Sequence, residues 1–334
     1  MAAIPHDAVM GGDGDDFEYM FWDPIRPETT PQHGAPIEFV IKPHGPFFTD
    51  LHRSLARIFW HLEDKEGVKL TQEATVIDLT HHTMWNEIDL FLNHQRIETG
   101  GYLYAFKAYM EKTLGCSEAS KQTQLKAQMY YPDDPFQHNT LDNRPSGAGA
   151  GKKTSINQGY LDRLTQTAKG AKCMTTGSLN LDLCQEGLAI PDRVHIRLSL
   201  RPNSDEFVLM AKKSQSKDYR LVIDEASLLA CKVYMKKHIR EKETFKIRYM
   251  KTLSRTFALG SGVSEGHWND PFQGTAPYKL VVAMVDAIAA DGDLEKNPLC
   301  FEHCSTSEAA YYIENVTGPR RPLKTDCERE QTLR

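Results

Sequence analysis

The chain of 334 residues has no run of about 18 consecutive apolar residues, which excludes a hydrophobic helix that crosses a bilayer. Met1 to Asp16 lacks the basic flank and apolar centre of a secretory leader, so an intracellular protein is expected. Charge of one sign is not in excess. Forty Lys and Arg against 45 Asp and Glu leave a formal charge of −5, giving no global attraction to nucleic acid or acidic membranes. An even cysteine framework is missing too. The seven cysteines, at 116, 173, 184, 231, 300, 304 and 327, are odd in number and scattered, which suits free thiols in a reducing compartment. No internal repeat is present.

What the chain does have is alternation. Ile37, Phe39 and Ile41 face away from Glu38, Val40 and Lys42, which predicts a first strand over Pro36 to Lys42. Thr75 to Leu79 and Glu87 to Asn93 follow. Leu51 to Leu62 fits either a helix lined by Leu55, Ile58, Phe59 and Leu62 or a strand with Ala56, Ile58 and Trp60 on one face. Strand patterns then run through Ser178 to Cys184, Arg193 to Leu200, Phe207 to Ala211, Tyr219 to Asp224, Ser227 to Met235, Thr244 to Thr252 and Lys279 to Val285.

After Gly100-Gly101 the period changes. Tyr102, Ala105, Phe106, Tyr109, Met110 and Leu114 recur at helical spacing, and Ser117 or Glu118 opens a second, more polar helical stretch through Gln128. Short strands with one helical excursion predict a mainly β chain of antiparallel sandwiches, because a parallel sheet needs a helix between each pair of strands. Residues 1–34, with Gly11-Gly12-Asp13-Gly14 and several prolines, predict an extended or disordered arm. Its Phe17, Tyr19, Phe21 and Trp22 suit docking on a neighbour or on their own domain equally. Residues 132–153, rich in Pro and Gly, predict a surface loop.

Apparent chemical motifs fail on context. Gly262-Val263-Ser264-Glu265-Gly266 matches a nucleophile elbow, with Arg255 to Leu259 as the strand before it, but His267-Trp268-Asn269-Asp270-Pro271 cannot open a helix. Gly147 to Thr154 departs from a phosphate loop at Ser146 and Lys153. Cys300-Phe301-Glu302-His303-Cys304 has no fixed second arm for zinc, His81-His82 being the only candidate. Asp291 to Glu295 lacks calcium-loop spacing and reads as a turn. The expectation is no catalytic residue, no cofactor and no metal.

A resemblance runs from about residue 34 to about 323. Gly34-Ala35-Pro36-Ile37-Glu38-Phe39, Thr49-Asp50-Leu51, Ile88-Asp89-Leu90-Phe91-Leu92-Asn93, Tyr104-Ala105-Phe106-Lys107-Ala108-Tyr109, Lys121-Gln122-Thr123-Gln124-Leu125 and Tyr130-Tyr131 come in this order. Leu179-Asn180-Leu181-Asp182-Leu183, His195-Ile196-Arg197-Leu198, Phe207-Val208-Leu209-Met210, Tyr219 to Ala226 and Asn297-Pro298 continue it. Together they resemble the major capsid proteins encoded by Maverick/Polinton elements and adintoviruses. No single motif is specific; their order and spacing are.

The resemblance implies a double jelly-roll, hexon-type capsid subunit that is not an enzyme. It implies a first jelly roll over 35–235 with the helical insertion at 101–128, an incomplete second jelly roll over 236–323, and a disordered tail at 324–334. The implied partners are two further copies in a homotrimeric capsomer, neighbouring capsid subunits and a minor capsid protein, with no membrane and no specific nucleic acid. The implied location is the virion capsid of an active element. Two other functions fit the residues: a single-jelly-roll minor capsid or carbohydrate-binding module, and a hydrolase using Ser264 with His267 or His303.

Overall fold

The computed structural model describes residues 17–70, 74–99, 101–141, 156–212, 218–241, 245–313 and 316–324. In chain order the elements are β1 (Phe17–Ile25), β2 (Ile37–Ile41), β3 (Phe47–Asp64), β4 (Ala74–Val76), α1 (Thr80–Thr83), β5 (Trp85–Leu92) and β6 (Gln95–Thr99). The excursion follows as α2 (Tyr104–Gly115), α3 (Glu118–Gln122) and α4 (Gln158–Thr167), with 3-10 turns at 101–103, 124–128 and 168–170. Then come β7 (Cys173–Gly177), α5 (Asp182–Gln185), β8 (Ala189–Ile190), β9 (Ile196–Pro202), α6 (Asp205–Val208), β10 (Leu209–Ala211) and β11 (Tyr219–Met235). Beyond β11 lie α7 (Lys237–Arg240), α8 (Ala287–Asp291) and the hairpin β12 (Glu308–Ile313) and β13 (Val316–Lys324).

Two antiparallel sheets carry the fold. One runs β1-β11-β3-β7 with β8 also on β3; the other runs β2-β9-β5-β6. Numbered one to eight along the chain, the principal strands β1, β2, β3, β5, β6, β7, β9 and β11 stand in the orders 1-8-3-6 and 2-7-4-5. First pairs with last, second with seventh, third with sixth and fourth with fifth. This is one antiparallel ribbon wrapped on itself, the jelly roll.

The core lies between the sheets. Ala56, Ile58, Trp60 and Leu62 of β3 point inward, as do Ile37, Phe39 and Ile41 of β2, Ile88 and Leu90 of β5 and Ile196, Leu198 and Leu200 of β9. Burying each large side chain of this set contributes roughly 1.5–3 kcal/mol. The two-way pattern of Leu51 to Leu62 resolves as strand, because Leu55, Arg57, Phe59 and His61 lie on the half-buried outer face.

The expected pair of strands at Tyr219 to Asp224 and Ser227 to Met235 is one strand, β11, with a bulge at Asp224 and, opposite Ala230, extra residues in β3. Tyr219 and Leu221 are buried before the register shift at Ile223/Glu225, and Ala226, Leu228 and Ala230 after it. A second shift at Leu229/Cys231 returns the buried face to Cys231, Val233 and Met235. The extra residue Asp224 flips side-chain parity at the first shift, and at the second residues 51–54 of β3 stand opposite Ala230 alone; both break the pattern in sequence without ending the strand.

Other expectations need correction. The arm drawn over 1–34 contains β1, which pairs with β11 from Phe17↔Met235 to Ile25↔Leu228. The described part of the arm is therefore an outer strand of the sandwich. Ser178 to Cys184 is not a strand: Leu179, Leu181 and Leu183 are buried, but the backbone N–H groups of Asp182 and Leu183 bond the Glu98 carboxylate instead of a neighbouring strand, at 2.5 and 3.1 Å. Phe207 and Val208 close α6, leaving only Leu209–Ala211 as strand. Residues 245–252 and Lys279 to Val285 form no strand, Val285 making only an isolated antiparallel bridge with Phe301. In the loop at 132–153, residues 142–153 lie outside the described residues, as do the tail from 325 and the phosphate-loop look-alike at 147–154. Helix α4 was not anticipated. Among the described residues after β11 there is one hairpin and no second sandwich.

Candidate assembly interface

The helical excursion connects β6 to β7 and is fixed to the sandwich by buried polar groups. Arg163 of α4, fully buried, donates from Nε to the Val76 carbonyl at 2.8 Å, from Nη1 to the Tyr131 carbonyl and from Nη2 to Asp133 Oδ1 at 2.6 Å. Asp133 also accepts from Asn157 Nδ2 at 2.7 Å and from Asn297 Nδ2 at 2.6 Å. Asn157 caps α4 by accepting from the Tyr160 N–H at 3.3 Å. A charge buried this deeply is tolerable only with such pairing.

Asp78 pins two turns. Its Oδ1 accepts from the N–H groups of Leu79 and Tyr131 at 2.8 and 2.5 Å. Leu79 and Met129 both have left-handed backbones, with φ of 54° and 64°, and the Leu79 N–H reaches the Met129 carbonyl at 3.0 Å. Such a conformation costs roughly 1–2 kcal/mol for a residue with a Cβ, and the hydrogen bonds hold it. Burial pushes the Asp78 carboxyl up to about 7 against the opposing pull of Arg163, with Asp133 adding to the rise.

Beside it, Asn180 N–H donates to the Tyr104 hydroxyl at 3.0 Å, which lies 3.0 Å from His82 Nδ1, while His82 Nε2 lies 2.9 Å from Gln128 Oε1. An amide oxygen only accepts, so Nε2 carries the His82 proton and Nδ1 accepts from Tyr104. Burial pulls His81 down to about 4 and holds His82 well below its ordinary value. Under α2, Lys107 Nζ donates to Asp182 Oδ1 at 2.5 Å and stands 3.6 Å from Glu98. These groups tie the insertion to the sandwich, and among them Asp78 Oδ2 and His81 Nδ1 are buried without a hydrogen-bond partner among the described residues.

The chemistry flagged in sequence is dispersed. Ser264 is exposed, and His267 points to Glu265 at 3.1 Å instead of to the serine. No strand precedes that serine and no helix follows it. His303 Nδ1 accepts from the Ser305 N–H at 2.9 Å, Cys304 is exposed, and His81 and His82 are buried beneath the insertion. Asp293 Oδ1 accepts from the Glu295 N–H at 2.9 Å, the expected turn.

Two exposed features stand out. Strand β1 is an edge, and its outer face carries an aromatic ledge: Tyr19 stacks on Tyr234 with ring centroids 5.0 Å apart, and Phe21 meets Phe47 edge-on at 5.2 Å. Arg240 lies 4.4 Å above the Tyr234 ring. The second feature is the arm over 253–283. It leaves the sandwich where the Thr252 N–H bonds Asp182 Oδ2 at 2.5 Å and returns at Asn297, whose N–H bonds Asn139 Oδ1 at 2.7 Å. Between these anchors Phe257, Leu259, Val263, Trp268, Tyr278 and Val282 are exposed. Exposed apolar surface on this scale marks an interaction site, and sequence periodicity alone had not separated Phe257, Leu259 and Val282 from core strands.

No family model matches the chain. An uncharacterized protein of Caenorhabditis elegans, F54H12.2, is 21% identical over 325 residues, covering 92% of this chain and 73% of the relative. Among solved structures, a chain of the Sputnik virophage aligns at a TM-score of 0.41 and 11% identity, over 71% of this chain and 54% of its own. The Faustovirus major capsid protein aligns at 0.38 and 10%, over 71% of this chain and 58% of its own. The mavirus major capsid protein aligns at 0.34 and 8%, over 71% and 50%. The chain thus spans a little over half the length of these viral proteins.

Proposed function

We propose that this protein is a structural subunit of a virus-like capsid, non-enzymatic, encoded by a Maverick/Polinton-type element. The observation that carries the reading is the pairing of a jelly-roll strand order with apolar surface that a lone chain leaves uncovered, on the β1 ledge and on the arm. The ordered residue matches from 34 to 323 supply the element type. In this reading 236–323 is part of a second jelly roll completed by another chain, and three copies form a capsomer that contacts neighbouring subunits and a minor capsid protein in the virion. No residue has a catalytic role in this reading, and a serine-reactive phosphonate should leave the chain unlabelled at Ser264; a stoichiometric Ser264-dependent adduct would overturn it.

A second reading is favoured by the single sandwich among the described residues: a minor capsid or carbohydrate-binding module with one jelly roll. Native mass measurement and negative-stain microscopy of the expressed chain separate the two. Trimers and shells support the first reading. A monomer that binds a glycan array overturns it in favour of the second.

A further inference from the structure

The arm and the edge are complementary. From Pro277 to Ala283 the described chain makes no hydrogen bond within the fold, although its pattern is that of a strand, with Tyr278, Leu280 and Val282 on one side and Lys279 and Val281 on the other. Tyr278 is 92% exposed and Val282 73%. A segment so placed makes no backbone hydrogen bond to the other described residues and carries apolar side chains on both sides. A loop of this length without secondary structure is uncommon in a compact domain, and such loops are usually functional or linker segments.

Strand β1 presents the matching deficit. Among the described residues it pairs only with β11, so its outer side carries unpaired N–H and C=O groups along Phe17–Ile25. Edge strands are ordinarily blunted by lysine or by covering elements. This one has Pro24, an irregularity at Phe17/Tyr19 and the acidic Glu18 and Asp23, but no lysine and, among the described residues, no strand on its outer side; Phe21 is 39% exposed and Trp22 48%. The arm strand carries Lys279 as its only charge. An acidic aromatic edge and a basic apolar strand suit one another in charge and in backbone hydrogen bonding.

We propose that residues 277–283 of one copy add as a strand to the β1 edge of a second copy of this chain. The contact is head-to-tail: the donor uses its arm and keeps its edge free, and the acceptor uses its edge and keeps its arm free. Repetition closes a ring or extends a filament according to the rotation per copy. The affinity comes from main-chain hydrogen bonds, and the side-chain register selects the segment, as in other strand additions. The capsid reading is not a premise of this contact, which concerns two surfaces of one chain.

The test uses the full chain and mass photometry or sedimentation. The wild type is expected to associate with concentration. Val281→Pro with Val282→Pro, at exposed positions that leave the sandwich untouched, removes two backbone donors and should yield monomer over at least a hundredfold higher concentration. Phe21→Lys, or Tyr19→Lys if the first fails to fold, should do the same from the edge. Mixing the arm variant with the edge variant should give a one-to-one dimer and nothing larger, since that pair retains one sound arm and one sound edge. A monomeric wild type overturns the proposal. So does assembly that survives the proline pair, which would point to edge-to-edge pairing. Association lost to both variants without shells by microscopy would retain this contact while removing the capsid function.

Discussion

Asp133 Oδ2 accepts a 2.6 Å hydrogen bond from Asn297 Nδ2, a residue 164 positions later in the chain. The same carboxylate pairs with Arg163 through its other oxygen. One side chain therefore joins the helical insertion to the segment beyond β11, where Phe301 also meets Phe106 and Tyr109 of α2 at 6.3 and 6.1 Å. Asp133→Ala leaves the buried guanidinium without its counter-charge and should cost about 3–5 kcal/mol. Asn297→Ala should cost about 1–3 kcal/mol and expose residues 284–301 to protease. Urea denaturation and limited proteolysis read both; equal losses from the two variants would refute this division of roles.

Two glycines permit close approach, and their replacements should differ in severity. A Cβ on Gly177 would stand 2.7 Å from the Gln128 side chain, which can move, although moving it takes the acceptor from His82. A Cβ on Gly159 would run into the backbone of Pro132 and Tyr131, which cannot move without displacing Asp133. Gly177→Ala should cost about 1–3 kcal/mol and Gly159→Ala more, measured as the shift in thermal midpoint. The reverse order would show that the insertion is more loosely seated than its contacts imply.

Acid and base act on this network in opposite directions. His81 falls from 6.5 to about 4 on folding, so the unfolded chain binds its proton first. The stability this histidine contributes is complete above 6.5 and is lost as pH falls towards 4. Asp78 rises from 3.8 to about 7, so the folded state holds the proton longer, and stability falls as pH climbs from 3.8 to 7. Each effect amounts to a few kcal/mol at most, at about 1.4 kcal/mol per pH unit. His81→Gln should flatten the acid limb. Asp78→Asn, which keeps an acceptor for Leu79 and Tyr131, should flatten the alkaline limb and stabilise the chain at pH 8. Denaturation midpoints from pH 4 to 8 check both slopes.

Much of the sandwich was legible because alternation reports burial wherever one face is wet. The strands at Ile37, Glu87 and Ile196 announced themselves in this way, and so did the helical insertion, whose Ser117 caps α3 by accepting from the Ser120 N–H at 3.3 Å. Pattern failed where a side chain replaced a strand partner, as Glu98 does for Asp182 and Leu183, and where a bulge flipped parity in β11. It failed differently at 279–285, since alternation says that a strand has two unlike faces and not that its partner lies in the same chain. The buried network was invisible for another reason. Asp78, Asp133 and Asn297 are polar residues in loops and Arg163 lies on helix α4, and only the folded path brings them together.

The strand least visible in sequence should prove the most informative to remove. Phe17–Ile25 follows a stretch rich in glycine and aspartate and contains Pro24, which argued for an arm, yet it covers the whole outer half of β11. Without it, Leu228 to Met235 become an open edge, and the cluster of Phe48, Val233, Met235, Ile239 and Phe245 loses the cover of Met20. A chain beginning at residue 35 should therefore lose cooperative unfolding and aggregate, whereas one beginning at residue 17 should melt like the full chain. Circular dichroism melts and light scattering distinguish these outcomes. Cooperative folding from residue 35 would return β1 to the status of a dispensable arm and place the closing strand of the sheet elsewhere.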